Sequence, residues 1–485
     1  MNVEPTPRLT PPHIRLPLTL GGERPEGAAG SYTLTAPYGG RALAEVTLAT
    51  RAQATAAVVA AAEAFRTFRH TPAHQRAEWL LAASEALAAD REAFARLMAE
   101  EVGKPIRSAR GEVDRAIMTL RLSGEEARRI GGEVVATDAT AAGAGRRGLT
   151  LVEPLGVVTC IIPFNYPLNL LAHKLGPALA AGNTAVVKPS PRAPLTTARL
   201  VELLLATGLP PGVLNHVTCD PAVAEVLVTH PDVAVVSFTG SVAVGSRILA
   251  QAGLKRVVLE LGSNAGNIVA PSADLEQAAG ALAGGGFVYA GQSCISVQRI
   301  YVHRSRLDAF AERLLARVGA LRVGDPLDEA TDLGPLIDVA AAERVEQWVA
   351  AAVAGGARVL TGGSREGALY APTVLIDVDP AQAVVCEEVF GPVVSLLPYD
   401  DFDAALAAVN DSRYGLHAGV FTNDLAEATR AIKHLSVGGV VINDASTFRL
   451  DLMPYGGLRE SGLGREGIRH ALADLTHLKA VYLPW

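Results

Sequence analysis

In the first third of the chain apolar residues recur at the three- and four-residue spacing of helices. Residues 47–68 and 76–101 are alanine-rich, with Trp79, Leu80, Ala83 and Leu87 on one stripe, and the second run ends at Gly103 and Pro105, residues that stop a helix. The pattern predicts a third, more charged helix over 113–130. The segment GGEVVATDATAAGAGRRGLTLVEP then carries two β-like runs around a loop of Ala, Gly and Arg, which predicts a projecting hairpin.

From Gly156 the period changes. Short β-branched runs (GVVTCII, NTAVVKPS, VLNHVT, VAVVSFTG, RVVLELG) alternate with helical ones, including LNLLAHKLGPALAAG, LTTARLVELLLATG and helices expected at 221–229 and 242–252. Repeated βα units predict a parallel sheet covered on both faces, hence an α/β fold. A second β/α series runs from about 267 to 443, with strands near VQRIYVH, TVLIDV, VVSLLPY, AGVFT and GGVVIN, and LKAVYLPW reads as an added strand that pairs at an edge.

Composition narrows the class. The 485 residues are enough for two or three domains, and at 49% hydrophobic and 19% charged the chain is neither disordered nor a small disulfide scaffold. A net charge of -7 offers no basic face, so no nucleic-acid partner is expected. Glu153, Asn165 and His173 interrupt the apolar stretches too early for a spanning helix, so no membrane partner is expected. The proline-rich start, MNVEPTPRLTPPHIRLPL, does not read as a signal peptide, which points to a cytoplasmic protein. Cys160, Cys219, Cys294 and Cys386 form no CxxC pair, and His70 and His74 flank Pro72 in a poor clamp, so no metal is expected.

Cys294 stands in GGGFVYAGQSCISVQRIYV. A lone cysteine is usually structural, but the glycines on its approach let a ligand come close. A nucleophilic thiol also needs an oxyanion donor and, for an acyl intermediate, a base. Asn165 in PFNYPL is good turn chemistry when taken alone. Glu260 ends the apolar strand VVLEL, where a buried carboxylate wants a reason and desolvation would lift it toward the range of a general base.

PFNYPL, GNTAVVKPSP, SFTGSVAVG, LELGS, GQSC, EEVFGP and PYGGLRESGLGREG occur in the order found in the aldehyde dehydrogenase superfamily, and the chain resembles that family from about residue 20 to its end. The resemblance implies an NAD(P)-dependent oxidation in which the Cys294 thiolate attacks an aldehyde. Asn165 and the Cys294 N–H would hold the oxyanion and Glu260 would activate the water that hydrolyses the thioester. Glu260 favours release of a free acid, and Lys174 and Glu466 match proton-relay positions. It also implies cofactor contacts at Phe164, Lys188, Ser190, Gly240, Ser241, Gly245, Gly262, Glu388 and Phe390. Lys188 is one of only six lysines, and FTGSVAVGS replaces the usual GxGxxG with a turn onto a helix N-terminus. NAD or NADP both fit. Pro191 stands where NAD-preferring relatives often carry a glutamate, and Ser190 or Arg192 could meet a 2′-phosphate.

For the substrate, Arg115, Asn169, His173 and Arg449 occupy positions that many relatives line with bulky apolar groups, and Ser293 stands immediately before the nucleophile. Two guanidiniums on one tunnel suit a small anionic or polyhydroxy aldehyde, as in the lactaldehyde, glyceraldehyde-3-phosphate and phosphonoacetaldehyde dehydrogenases. Ser293 speaks against the phosphate version, because some phosphate-handling relatives carry arginine there. The alternatives are a dehydrogenase of neutral or hydrophobic aldehydes, with Arg115 and Arg449 paired to Asp114 or Asp451, and a non-catalytic cofactor-binding protein. The implied architecture is a Rossmann-like cofactor domain (1–131 and 151–262), an α/β catalytic domain (263–462) and a β oligomerisation element (132–150 and 463–485), assembling as a homodimer or homotetramer.

Overall fold

The computed structural model describes residues 14–485; the proline-rich start up to residue 13 lies outside them. A six-stranded sheet runs in the order Gly462–Leu463, Arg256–Glu260, Val233–Thr239, Val157–Ile161, Thr184–Lys188, Leu214–His216, all parallel except the first. A seven-stranded sheet runs Arg358–Thr361, Thr373–Ile376, Val393–Tyr399, Arg299–His303, Gly266–Val269, His417–Phe421, Gly439–Ile442, again parallel apart from its first strand. Their continuous apolar runs follow from burial on both faces. This is the α/β architecture that the alternating periods anticipate.

The helical stretch 76–101 is two helices, Ala73–Ala89 and Arg91–Val102, broken at Asp90, to which Arg199 is salt-bridged. The next helix starts earlier than its apolar stripe suggests, at Ile106 directly after Pro105, and ends at Ala127. The start of the chain adds a three-stranded sheet that the pattern did not announce, Arg15–Leu16, Ala42–Thr47 and Ser31–Thr35. Helix Arg51–Phe68 then begins at a capping box, with Thr50 and Gln53 satisfying each other's backbone N–H groups.

Helix Pro167–Ala181 is buried along its whole length and ends at Gly182 in the left-handed region (φ 93°). It lies so close to helix Ile106–Ala127 that a Cβ on Gly176 would stand 2.3 Å from Ser123 Oγ. That contact sets Asn169 against Glu112 and Thr119: Glu112 accepts from the Asn169 N–H at 3.1 Å, and Thr119 Oγ1 donates to Asn169 Oδ1 at 3.0 Å. Strand Thr476–Pro484 pairs antiparallel with Arg146–Pro154, which pairs in turn with Val134–Val135, so the C-terminal strand is an edge. The residues just before it lie elsewhere: Leu463 joins the six-stranded sheet, and helix Ile468–Leu475 packs on helix Pro167–Ala181. Among the described residues no helix is long and apolar enough to cross a membrane.

Candidate active site

The strand ends of the six-stranded sheet open into a cavity of about 970 Å³ that reaches Cys294. Of the residues singled out in the sequence, Arg115, Phe164, Asn165, Asn169, Lys188, Ser190, Gly240, Ser241, Glu260, Gly262, Ser293, Cys294, Glu388, Phe390 and Arg449 line it. His173, Lys174, Gly245 and Glu466 do not line it. Gly245 lets its helix approach Leu261, just past the end of strand Arg256–Glu260, since a Cβ there would stand 2.6 Å from the Leu261 side chain.

The loop leading to Cys294 is strained. Tyr289, Ala290 and Gly291 are successively left-handed (φ 51°, 52° and 70°), a conformation that costs about 1–3 kcal/mol at a non-glycine residue. Tyr289 is fully buried, its hydroxyl donates to the Val102 carbonyl at 2.9 Å, and the Lys104 ammonium lies 4.6 Å from its ring centre, which holds the turn in place. Cys294 follows, half-buried, with Sγ 2.8 Å from the Tyr455 hydroxyl. Burial pushes the thiol up to about 12, and Glu388 and Glu260 add to the rise against the Tyr455 hydrogen bond and Arg449. Asn165 is buried and donates from Nδ2 to the Gln292 carbonyl, two residues from Cys294, at 3.0 Å.

Glu260 is buried at its strand end, and its Oε1 has no hydrogen-bond partner among the described residues. Burial, then the neighbouring Glu466, raises its carboxyl well above the usual range, outweighing Lys174 and Arg449. Glu466 goes the other way. Burial raises it, but Lys174 and Arg449 hold it below the usual carboxylate range, and their nitrogens lie 3.4 and 3.0 Å from its two oxygens.

Both pocket arginines have a carboxylate on one edge. Arg115 donates from Nε and Nη2 to the two Asp451 oxygens at 3.0 and 2.6 Å, and Asp451 also lies 2.8 Å from His173 Nε2. Asp114 instead binds Arg91, because adjacent helical residues face different sides. Arg449 donates to Glu466, lies across the Tyr455 ring at 3.6 Å, and keeps a buried Nε with no hydrogen-bond partner among the described residues, 3.8 Å from Asp451 Oδ1. Burial and Arg449 together pull His173 down, toward the neutral form.

Toward the other end of the cavity lie Lys188, Ser190, Gly240 and Ser241, which the resemblance assigns to a dinucleotide. Ser241 caps helix Val242–Ala252 by accepting from the Val244 N–H, and burial lowers the Lys188 ammonium. Phe164 and Phe390 meet edge to face at 5.9 Å, with Phe390 left-handed at φ 48°. Glu388 accepts from the Ser263 N–H at 3.0 Å, and burial lifts its carboxyl to about 7. A Cβ on Gly262 would stand 2.7 Å from Glu388 Oε2, so a larger residue there would displace the Glu388 carboxylate. Arg192 does not line the cavity and is paired through one nitrogen with Asp338 at 2.6 Å. Glu225 and Arg247 line the cavity and were not singled out in the sequence, where nothing marks them among other helical charges.

The Aldehyde dehydrogenase family matches residues 25–481. This chain belongs to that family. It is an NAD(P)-dependent aldehyde dehydrogenase, and its α/β folding is shared with solved members. The 3-sulfolactaldehyde dehydrogenase of Priestia aryabhattai is 47% identical over 442 residues, 91% of this chain and 92% of that one. Aldehyde dehydrogenase 21 from Physcomitrella patens, solved with the reaction product succinate, superposes with a TM-score of 0.95 at 38% identity, covering 98% and 99% of the two chains. The glyceraldehyde-3-phosphate dehydrogenase GapN of Methanocaldococcus jannaschii, solved with NADP, gives 0.91 at 38% identity over 94% and 100%.

Proposed function

We propose that the enzyme oxidises a small anionic or hydroxylated aldehyde to its free carboxylic acid. The observation that carries this reading is the placing of Arg115 and Arg449 on the same cavity as Cys294, each with a carboxylate along one edge of its fork. A guanidinium has five N–H groups, so both retain donors for a ligand. Arg115 is paired with Asp451, and Arg449 with Glu466, which Lys174 also meets. The free edges of the two guanidiniums suit a substrate anion. The substrates and product named for the three relatives carry sulfonate, phosphate or carboxylate.

In the proposed cycle Cys294 Sγ forms a bond to the aldehyde carbon while the carbonyl electrons move to oxygen. The Cys294 N–H, which has no partner among the described residues, and the Asn165 amide hold that oxyanion. Bound NAD or NADP supplies the acceptor for the hydride that leaves the carbon. Glu260 takes a proton from water, which attacks the resulting thioester, and the carbon–sulfur bond breaks to release the acid. Lys174 and Glu466 pass the proton on. Lys188 and Ser190 would hold the adenosine ribose, Gly240, Ser241 and the helix that Gly245 seats would hold the pyrophosphate, and Phe164, Gly262, Glu388 and Phe390 the nicotinamide side. With Pro191 in place of a carboxylate but Glu225 on the same cavity, NADP is accepted alongside NAD. The edge strand Thr476–Pro484, with Leu478, Tyr482 and Trp485 exposed, pairs with another copy in a homodimer or homotetramer, and 1–131 with 151–262 forms the cofactor domain around 263–462.

The test is kcat/KM for a sulfonated or carboxylated aldehyde against a neutral one of equal length. Arg115→Ala should lower the value for the anion by about tenfold to a hundredfold, the worth of a charge-assisted pair of about 1.5–3 kcal/mol, and leave the neutral substrate nearly unchanged. The bidentate pairing of Arg115 with Asp451 favours the other reading, a neutral aldehyde; equal losses on both substrates would establish it.

A further inference from the structure

We propose that Tyr455 is a further catalytic residue, whose hydroxyl donates a hydrogen bond to the sulfur of Cys294 and so stabilises the attacking thiolate. The inference rests on Cys294 being the nucleophile. The Tyr455 hydroxyl lies 2.8 Å from Sγ, the side chain is almost fully buried, and among the described residues the sulfur is the hydroxyl's only hydrogen-bond partner. A buried O–H without a partner is costly, so the phenol is tied to this sulfur.

The pairing is selective between the two forms of the sulfur. A thiol is a weak acceptor, whereas a thiolate accepts strongly, so a fixed O–H donor lowers the free energy of the charged form more. Tyr455 transfers no proton in this role. The surroundings make the help necessary: Glu388 and Glu260 face the sulfur, and burial opposes its ionisation. Arg449 is the cation among its neighbours. Its guanidinium lies flat on the Tyr455 ring at 3.6 Å, and a cation on the ring face draws density from the oxygen and makes the phenol the donor of the pair.

Tyr455 is also rigidly held. Its backbone N–H donates to the Glu466 carbonyl at 3.0 Å and its carbonyl accepts from the Glu466 N–H at 2.7 Å, while His417 packs edge-on at 5.2 Å. The groups facing the sulfur and the phenol are therefore Glu260, Glu388, Arg449 and His417, and only the phenol touches the sulfur with a hydrogen bond.

The experiment is the rate of alkylation of Cys294 by iodoacetamide in the full-length enzyme without cofactor. It is read on the Cys294 peptide by mass spectrometry between about pH 6 and 10, a window below the raised titration of this thiol, where the rate follows the thiolate fraction. Tyr455→Phe keeps the ring and removes the donor. It should lower the alkylation rate about tenfold throughout that window, the equivalent of one unit in the thiol's titration, and kcat/KM should fall by a similar factor. The affinity for NADPH, measured by fluorescence, should not change. Coincident alkylation profiles for the two proteins would overturn the proposal. Should the variant fail to fold, biosynthetic 3-fluorotyrosine makes the hydroxyl a stronger donor and should raise the rate in the same window; an unchanged or lowered rate overturns the proposal equally. Alkylation is read without turnover, so it is separable from the catalytic reading. If the rate changes as expected while Cys294→Ala still oxidises aldehyde, the pairing stands and the proposed cycle fails.

Discussion

With Glu260 replaced by Gln, rapid mixing should show one equivalent of reduced cofactor per active site formed in a burst, followed by a steady rate about 10²- to 10⁴-fold below wild type, the usual contribution of a general base. The first half of the cycle needs Cys294 and an oxyanion donor, and neither touches the Glu260 carboxyl in the hydrogen-bond network. The second half needs a base for water, and an amide is none. The substitution is a mild one structurally. Burial and Glu466 already favour the protonated carboxyl, which an amide matches in shape and in carrying no charge. The same shift fixes the sign of the pH dependence. The base acts only when ionised, so the wild-type steady rate should rise with pH on a limb lying above the ordinary carboxylate range, and the variant should lose that limb. Cys294→Ala should show no burst at all while still binding NADPH. A burst absent in Glu260→Gln, or a steady rate left intact, would remove Glu260 from the role of deacylating base.

The second large effect is on stability. Lys104 and Glu112 form an ion pair in which both side chains are fully buried. The Lys104 ammonium also lies 3.6 Å from the Tyr166 ring centre, and burial pulls it down to about 8 despite Glu112. Glu112 accepts from the Leu168 and Asn169 N–H groups at 2.9 and 3.1 Å, a carboxylate set on the N-terminal turn of helix Pro167–Ala181. Glu112→Gln leaves the ammonium buried without its counter-charge and should destabilise the fold by about 3–5 kcal/mol, seen as a lower urea midpoint. Adding Lys104→Met to that variant should recover part of the loss, because the stranded charge goes with it. Simple additivity of the two substitutions would show that the pair is not coupled.

Much of this site is legible in the sequence, because loop glycines and a cysteine in fixed order mark where backbone must approach a ligand. Cys294, Asn165 and Glu260 are singled out by the order of their motifs, and the folded chain puts all three on one cavity with Lys188, Ser190, Gly240 and Ser241. Their partners are not. Asp451 and Glu466 neutralise Arg115 and Arg449 across 336 and 17 residues of chain, and only the folded contact tells which carboxylate each guanidinium takes. Asp114, next in sequence to Arg115, points to the wrong side of its helix and goes to Arg91. Tyr455 sits in plain view in PYGG, yet its hydroxyl acquires meaning only once the sulfur lies against it. The break at Asp90 is hidden for a related reason. No glycine or proline marks it, and Arg199, more than a hundred residues away, binds the residue at the break.

The two backbone hydrogen bonds between Tyr455 and Glu466 close the segment between them into a single loop. The residue that touches Cys294 and the carboxylate beside Glu260 are thus the two ends of one clasp. In the proposed cycle, fluctuations that open it would disarm attack and hydrolysis in the same event. Under mild heat or denaturant the enzyme should therefore lose both half-reactions in parallel, with no population that acylates and then stalls.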